Sequence, residues 1–144
     1  MQPEISYIFF KEPIDDQKLT SVISSIHGFI CILNPDAIVS EVQIMAAYAH
    51  LSRDNDVAKR VKDRSLRLMI HISGEKQIKK ARDGVGFRNG MEKAIVVYEN
   101  RSVFENFISE LKMAEVSNQS FVPHDDRQFD RIVFPRTAMS DFQS

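Results

Sequence analysis

Short strand-like runs alternate along this chain with helical apolar periodicities, and that interleaving limits the fold more than any other feature. Residues 5–10 are β-branched and aromatic and stop at Lys11-Glu12-Pro13, which predicts a strand. Asp15 or Asp16 is placed to cap a helix with Leu19, Val22, Ile23 and Ile26 at helical spacing and Gly28 at its end. The continuous apolar run 29–33 predicts a strand covered on both faces, broken by Asn34-Pro35-Asp36. Ser40 with Gln43 forms a capping box ahead of a helix that is apolar nearly all round, expected to be the central buried one. Residues 57–63 predict a short basic helix. Alternation of Leu66, Leu68, Ile70 and Ile72 with Arg67, Met69 and His71 predicts a half-buried strand.

Ser73-Gly74 then turns the chain into a helix with Ile78, Ala81 and Val85 inward, ending near Gly84 or Gly86. A strong strand over 93–98 follows. Ser102 with Glu105 reads as a second capping box, opening a helix with Phe104, Phe107, Ile108 and Leu111 on one face. The expected fold class is α/β or α+β: a mixed sheet of about four to five strands packed with several helices. With 144 residues and no repeat or linker, the chain is expected to be a single domain, 1–144.

Composition narrows the function classes. Ten Phe supply enough apolar bulk for a core, so disorder is excluded. No apolar run approaches the roughly 18–20 residues that span a bilayer. The start, MQPEISYIFF, lacks the basic opening and small-residue cleavage site of a secretory signal, and the single Cys cannot pair internally. A cytoplasmic protein is expected. The net charge of −1 hides a basic middle: residues 53–93 balance to +6, against −4 before them and −3 after. A localised polyanion contact needs such a distribution, and a solvated surface also accounts for it.

Catalytic chemistry is hard to find. His27, His50, His71 and His124 lie on separate elements without metal-ligand spacing, and Cys31 sits inside an apolar run. Asp15-Asp16 and Asp125-Asp126 precede helical patterns, where capping explains them. The glycines of 84–90 have the wrong spacing and context for a phosphate loop. No enzyme, cofactor or metal is expected.

The strongest candidate site is the turn at Ser73 and Gly74 with Lys76, Gln77, Ile78, Lys79, Lys80 and Arg82. Exposed N–H groups at a helix start can hold a phosphate, glycine permits close approach, and Gln77 suits a base edge or sugar. The alternatives are an ordinary helix start with solvated lysines and a small-anion site.

Two stretches carry a family resemblance. Asn34-Pro35-Asp36-Ala37-Ile38 and the Ala-rich helix after it look like an "N-x-D-x-I" strand exit and buried helix. LRLMIHISGEKQIKKA, residues 66–81, is similar to "E-I-L-L-R-x-S-G-x-R-Q-I-x-x-A". Together they resemble the small kinase-binding subunit of the KEOPS (EKC) complex, the PRPK-binding protein family, over roughly residues 5–111. The resemblance implies a non-catalytic subunit in the threonylcarbamoylation of tRNA adenosine, docking on an atypical small kinase/ATPase subunit and capturing the tRNA 3′ CCA end. The motif positions fall on Ser73, Gly74, Lys76, Gln77, Ile78 and Ala81. His71 and Lys76 stand where the family has Arg, and Lys lacks the bidentate fork. For the kinase contact the tail offers an amphipathic set, Phe129, Ile132, Phe134 and Met139, for which closing the core is the competing role. Neither a membrane nor a small-molecule substrate is expected as a partner.

Overall fold

The computed structural model describes residues 2–51, 53, 63–112 and 114–121. Among them are four strands: β1 (Glu4–Phe10), β2 (Ile30–Leu33), β3 (Lys93–Tyr98) and β4 (Ala114–Ser117). Five helices accompany these: α1 (Asp16–Ser24), α2 (Glu41–His50), α3 (Arg64–Ser73), α4 (Ile78–Val85) and α5 (Arg101–Leu111). The fold is α+β, and its four strands fall within the expected number. They form one sheet in the order β2-β3-β1-β4, with β1–β3, β2–β3 and β1–β4 all antiparallel.

Two compact units share the described residues. The first joins Met1–Pro35 to Phe87–Phe121 and contains the whole sheet; the second is built on Asp36–Gly86.

In the first unit the register places Ile8, Phe10, Ile30, Ile32, Ala94, Val96 and Tyr98 on one sheet face. That face meets Leu19 of α1 and Phe104, Phe107 and Leu111 of α5 in a single apolar core. Full burial of Phe104 and Phe107 contributes about 1.5–3 kcal/mol each. Helix α1 starts where expected, with Asp15 Oδ1 accepting from the Gln17 N–H at 2.8 Å. It ends at Ser24, earlier than the Gly28 signal. Glycine at position 28 answers a steric need instead: at φ +133° it passes so close to α5 that a Cβ would lie 2.7 Å from Val103 Cγ2. All four residues of β2 are buried, as the unbroken apolar run predicts.

Helix α5 begins two residues earlier than the expected box would start it. Asn100 is the cap, and its Oδ1 accepts from the Ser102 N–H at 3.0 Å and from the Ser102 hydroxyl at 2.8 Å. Glu105 pairs instead with Arg101 one turn earlier, at 3.7 Å. Lys112 then closes α5 in the left-handed region, φ 62°, and the chain returns along β1 as β4. The glycine-containing 86–92 connection is tied down at its second half: the Gly90 N–H donates to the Ile14 carbonyl at 2.8 Å, and the Ile14 N–H to the Met91 carbonyl at 3.3 Å.

In the second unit α3 packs against both α2 and α4. This corrects the strand expected over 66–72. Asp63 Oδ1 caps a helix there, accepting from the N–H groups of Ser65 and Leu66 at 2.8 and 3.2 Å. Gly74, at φ 75°, closes it with its N–H on the Ile70 carbonyl at 2.9 Å. From Leu68 to Ser73 every side chain is buried, so the apolar alternation reflects a helix end enclosed on all sides. Helix α2 is less enclosed than expected, since Val42 is 49% exposed. Its expected capping box does not form: the Ser40 side chain makes no capping bond, and Gln43 Oε1 accepts at 3.0 Å from the Val39 N–H, one residue before the cap. The basic helix expected over 57–63 lies outside the described residues except for Asp63.

Candidate functional site

The candidate corner is the junction of α3 and α4. The sequence places Ser73 and Gly74 at a strand-to-helix turn, whereas the structure puts both at the carbonyl end of a helix. Ser73 is buried, its hydroxyl donating to the Ile70 carbonyl at 3.4 Å and accepting from the Glu75 N–H at 3.1 Å. The amides of Gly74 and Glu75, expected to cradle an anion, are therefore both engaged. The physical reason is the helix before them: its last carbonyls and Ser73 take up those donors. Residues 73–74 act here as a helix stop.

Helix α4 starts four residues later. Gln77 is its cap by position, extended at φ −95° and ψ 133°, and makes no side-chain capping bond. Its amide is exposed and not used to hold the helix. Ala81 and Val85, one turn apart, face inward. Ile78, expected beside them, is 37% exposed. Gly74, Lys76, Lys79, Lys80 and Arg82 are exposed as well. Seven of the eight candidate residues thus lie together on the surface of one helix-turn-helix, and only Ser73 is withdrawn.

The electrostatics of the junction follow from its two helix ends. The carbonyl end of α3 and the amide end of α4 meet across a few residues, so their partial charges oppose one another. The field left over comes from side chains, namely Lys76, Lys79, Lys80 and Arg82 against Glu75 and Asp83. Among the described residues no ion pair holds any of those four cations. Their charge is available to an incoming anion, and its attraction is screened over about 8–10 Å at moderate salt.

His71 does not contribute to this surface. It is buried in the last turn of α3, its ring stacked on that of His50 with centroids 5.0 Å apart. His27 is exposed beyond α1, and Cys31 is buried in β2. Neither aromatic side chain that could stack on a base from this part of the chain is free to do so: Tyr98 is in the core with its hydroxyl 2.8 Å from the Ser6 hydroxyl. Phe87 is half-buried against the same core. Among the described residues no three His, Cys, Asp or Glu side chains are grouped to hold a metal ion. The expected tail contacts Phe129, Ile132, Phe134 and Met139 lie outside the described residues, as do His124 and Asp125-Asp126. No described helix is long and apolar enough to cross a membrane.

The α3 helix could have been found from two signals. Asp63 stands just before Ser65-Leu66, and Gly74 follows eleven positions later, a cap and a stop bracketing a helix-length segment. Comparison of the chain with protein-family models gives no match, and comparison with curated proteins gives none of significance.

Proposed function

We propose that this chain is a non-catalytic binding subunit that contacts RNA through the α3–α4 corner and a protein partner elsewhere. The observation carrying the proposal is the group of exposed cations Lys76, Lys79, Lys80 and Arg82 with the exposed Gln77 amide, none of the four ion-paired among the described residues. Lysines around a short helix suit a phosphate backbone, and an uncommitted amide beside them suits a base edge or ribose. The resemblance of residues 66–81 to the KEOPS kinase-binding subunit supports a more specific reading. In that reading the RNA is the 3′ CCA end of tRNA, the protein partner is the atypical small kinase/ATPase subunit, and the complex works in the cytoplasm. Ser73 and Gly74 then shape the corner without touching RNA. The tail residues Phe129, Ile132, Phe134 and Met139 are the proposed kinase contact.

A protein-only adaptor is the second reading, favoured by the exposure of Ile78 among the lysines. Gel-shift titration separates the two. Replacing Lys76 and Gln77 together by Ala is expected to weaken binding of intact tRNA and to have little effect on tRNA lacking its 3′ end. Equal loss with both RNAs places the contact elsewhere, and no binding of either RNA by the unaltered chain favours the adaptor. Co-purification of an atypical kinase with the chain tests the protein half.

A further inference from the structure

The connection between α4 and β3 contains the one Asn-Gly dipeptide of the sequence, Asn89-Gly90. Gly90 has φ +82°, and a Cβ there would meet nothing within 4 Å. The left-handed backbone, not crowding, therefore calls for glycine. Both residues are exposed. An asparagine followed by glycine is chemically labile, because no side chain hinders attack of the following backbone nitrogen on the asparagine amide.

Here both reacting groups are occupied. Asn89 Oδ1 accepts from the Asp16 N–H at 3.0 Å, and the Gly90 N–H donates to the Ile14 carbonyl at 2.8 Å. We infer that Asn89 is a site of spontaneous hydrolytic deamidation, held in check by these two hydrogen bonds to the β1–α1 connection. In the reaction the Gly90 nitrogen gives its proton to solvent base and bonds to Asn89 Cγ. The Cγ–Nδ2 bond breaks, and Nδ2 leaves as ammonia, closing a succinimide ring. Water then adds to either imide carbonyl and opens the ring to aspartate or isoaspartate. One water is consumed, one ammonia is released, and nothing is oxidised or reduced. The bond to Ile14 keeps the nitrogen's proton engaged, and the bond to Asp16 fixes the amide's rotation, so both must open before the ring can close.

The products differ in consequence. Aspartate keeps an oxygen acceptor for the Asp16 N–H. Isoaspartate adds a methylene to the main chain beside the Gly90–Ile14 and Ile14–Met91 bonds, shifting the register that joins this connection to β1–α1.

The test is peptide mapping by mass spectrometry of the full chain held in mildly alkaline buffer at physiological temperature. Native and urea-unfolded protein are followed in parallel for conversion at position 89 and for isoaspartate. The native chain is expected to convert about tenfold or more slowly than the unfolded one. Asp16→Pro removes the donor to Asn89 at the first helical position, where proline is tolerated, behind an Asp15 already extended at ψ 131°. It is expected to convert several-fold faster than wild type, whereas Asp16→Ala, which keeps the N–H, is expected to match wild type. Equal rates for native and unfolded chains, or no conversion in the unfolded chain, overturn the inference. So does a folded Asp16→Pro variant that reacts no faster than Asp16→Ala. Circular dichroism establishes that the proline variant is folded, and the native-against-unfolded comparison stands without it.

Discussion

The rings of His50 and His71 stack with an interplanar angle of 13°, joining the last turn of α2 to the last turn of α3. Both residues are more than nine-tenths buried. His71 occupies the place where the resemblance would put arginine, so a side chain expected at the surface serves packing between two helices. His50→Ala and His71→Ala are each expected to destabilise the protein by about 1–3 kcal/mol. Because the rings share one contact, the double variant should lose less than the sum, with a coupling of about 0.5–1.5 kcal/mol. Urea denaturation of the four proteins measures it; strict additivity would show that the stack contributes nothing of its own.

The basic corner makes an ionic prediction. If Lys79, Lys80 and Arg82 meet phosphates, each replacement by Ala should reduce the slope of log K against log salt by about 0.7 for a single strand. Fluorescence anisotropy with labelled RNA at several salt concentrations reads the slope. The same replacements are expected to leave the melting temperature nearly unchanged, since all three side chains are exposed and, among the described residues, outside any ion pair.

The start of α5 separates two caps that the sequence offers. Asn100→Ala is expected to cost about 1 kcal/mol, through loss of the acceptor for the Ser102 N–H. Ser102→Ala should cost less, because its hydroxyl only donates back to Asn100. Thermal melts of the two variants order them; a larger loss for Ser102→Ala would reinstate the box centred on Ser102.

Gly28→Ala tests a close approach. Strain at φ +133° and the 2.7 Å contact with Val103 Cγ2 act together, for an expected loss of roughly 1–3 kcal/mol. Adding Val103→Ala should restore only part of it, since the shorter side chain removes the clash and leaves the backbone strain. Full recovery would mean the backbone term is negligible.

Most of the architecture was legible because its signals were redundant. Strands β1, β2 and β3 are dense in Ile, Val and aromatic residues, and α1 and α5 carry clean 3.6-residue spacing. The segment 66–72 misled because Leu66, Leu68, Ile70 and Ile72 alternate by chance, while the buried Met69 and His71 between them break any two-faced reading. Leu, Arg and Met there favour helix, and the Asp63 cap and Gly74 stop agree with them. Strand β4 was invisible for a different reason. Its four residues, Ala114-Glu115-Val116-Ser117, hold one β-branched side chain, and the helix before it stops at Lys112 without a glycine. Pairing with β1 makes it a strand, and pairing is not written in a local window. At the candidate corner seven of the eight residues do share one exposed surface, but the backbone chemistry read there was wrong, because a helix stop at Ser73 and Gly74 stood where an anion cradle was expected.

The sheet order has a consequence for synthesis. Strand β1 lies between β3 and β4, and its Ser6 hydroxyl meets Tyr98 across 92 residues of sequence. At ribosomal speeds of about 5–20 residues per second, the nascent β1 waits on the order of 5–20 s for its first neighbour to emerge. Throughout that interval Ile8 and Phe10 have no sheet to enter, so among the described strands β1 is the one whose apolar side chains wait longest for cover during synthesis.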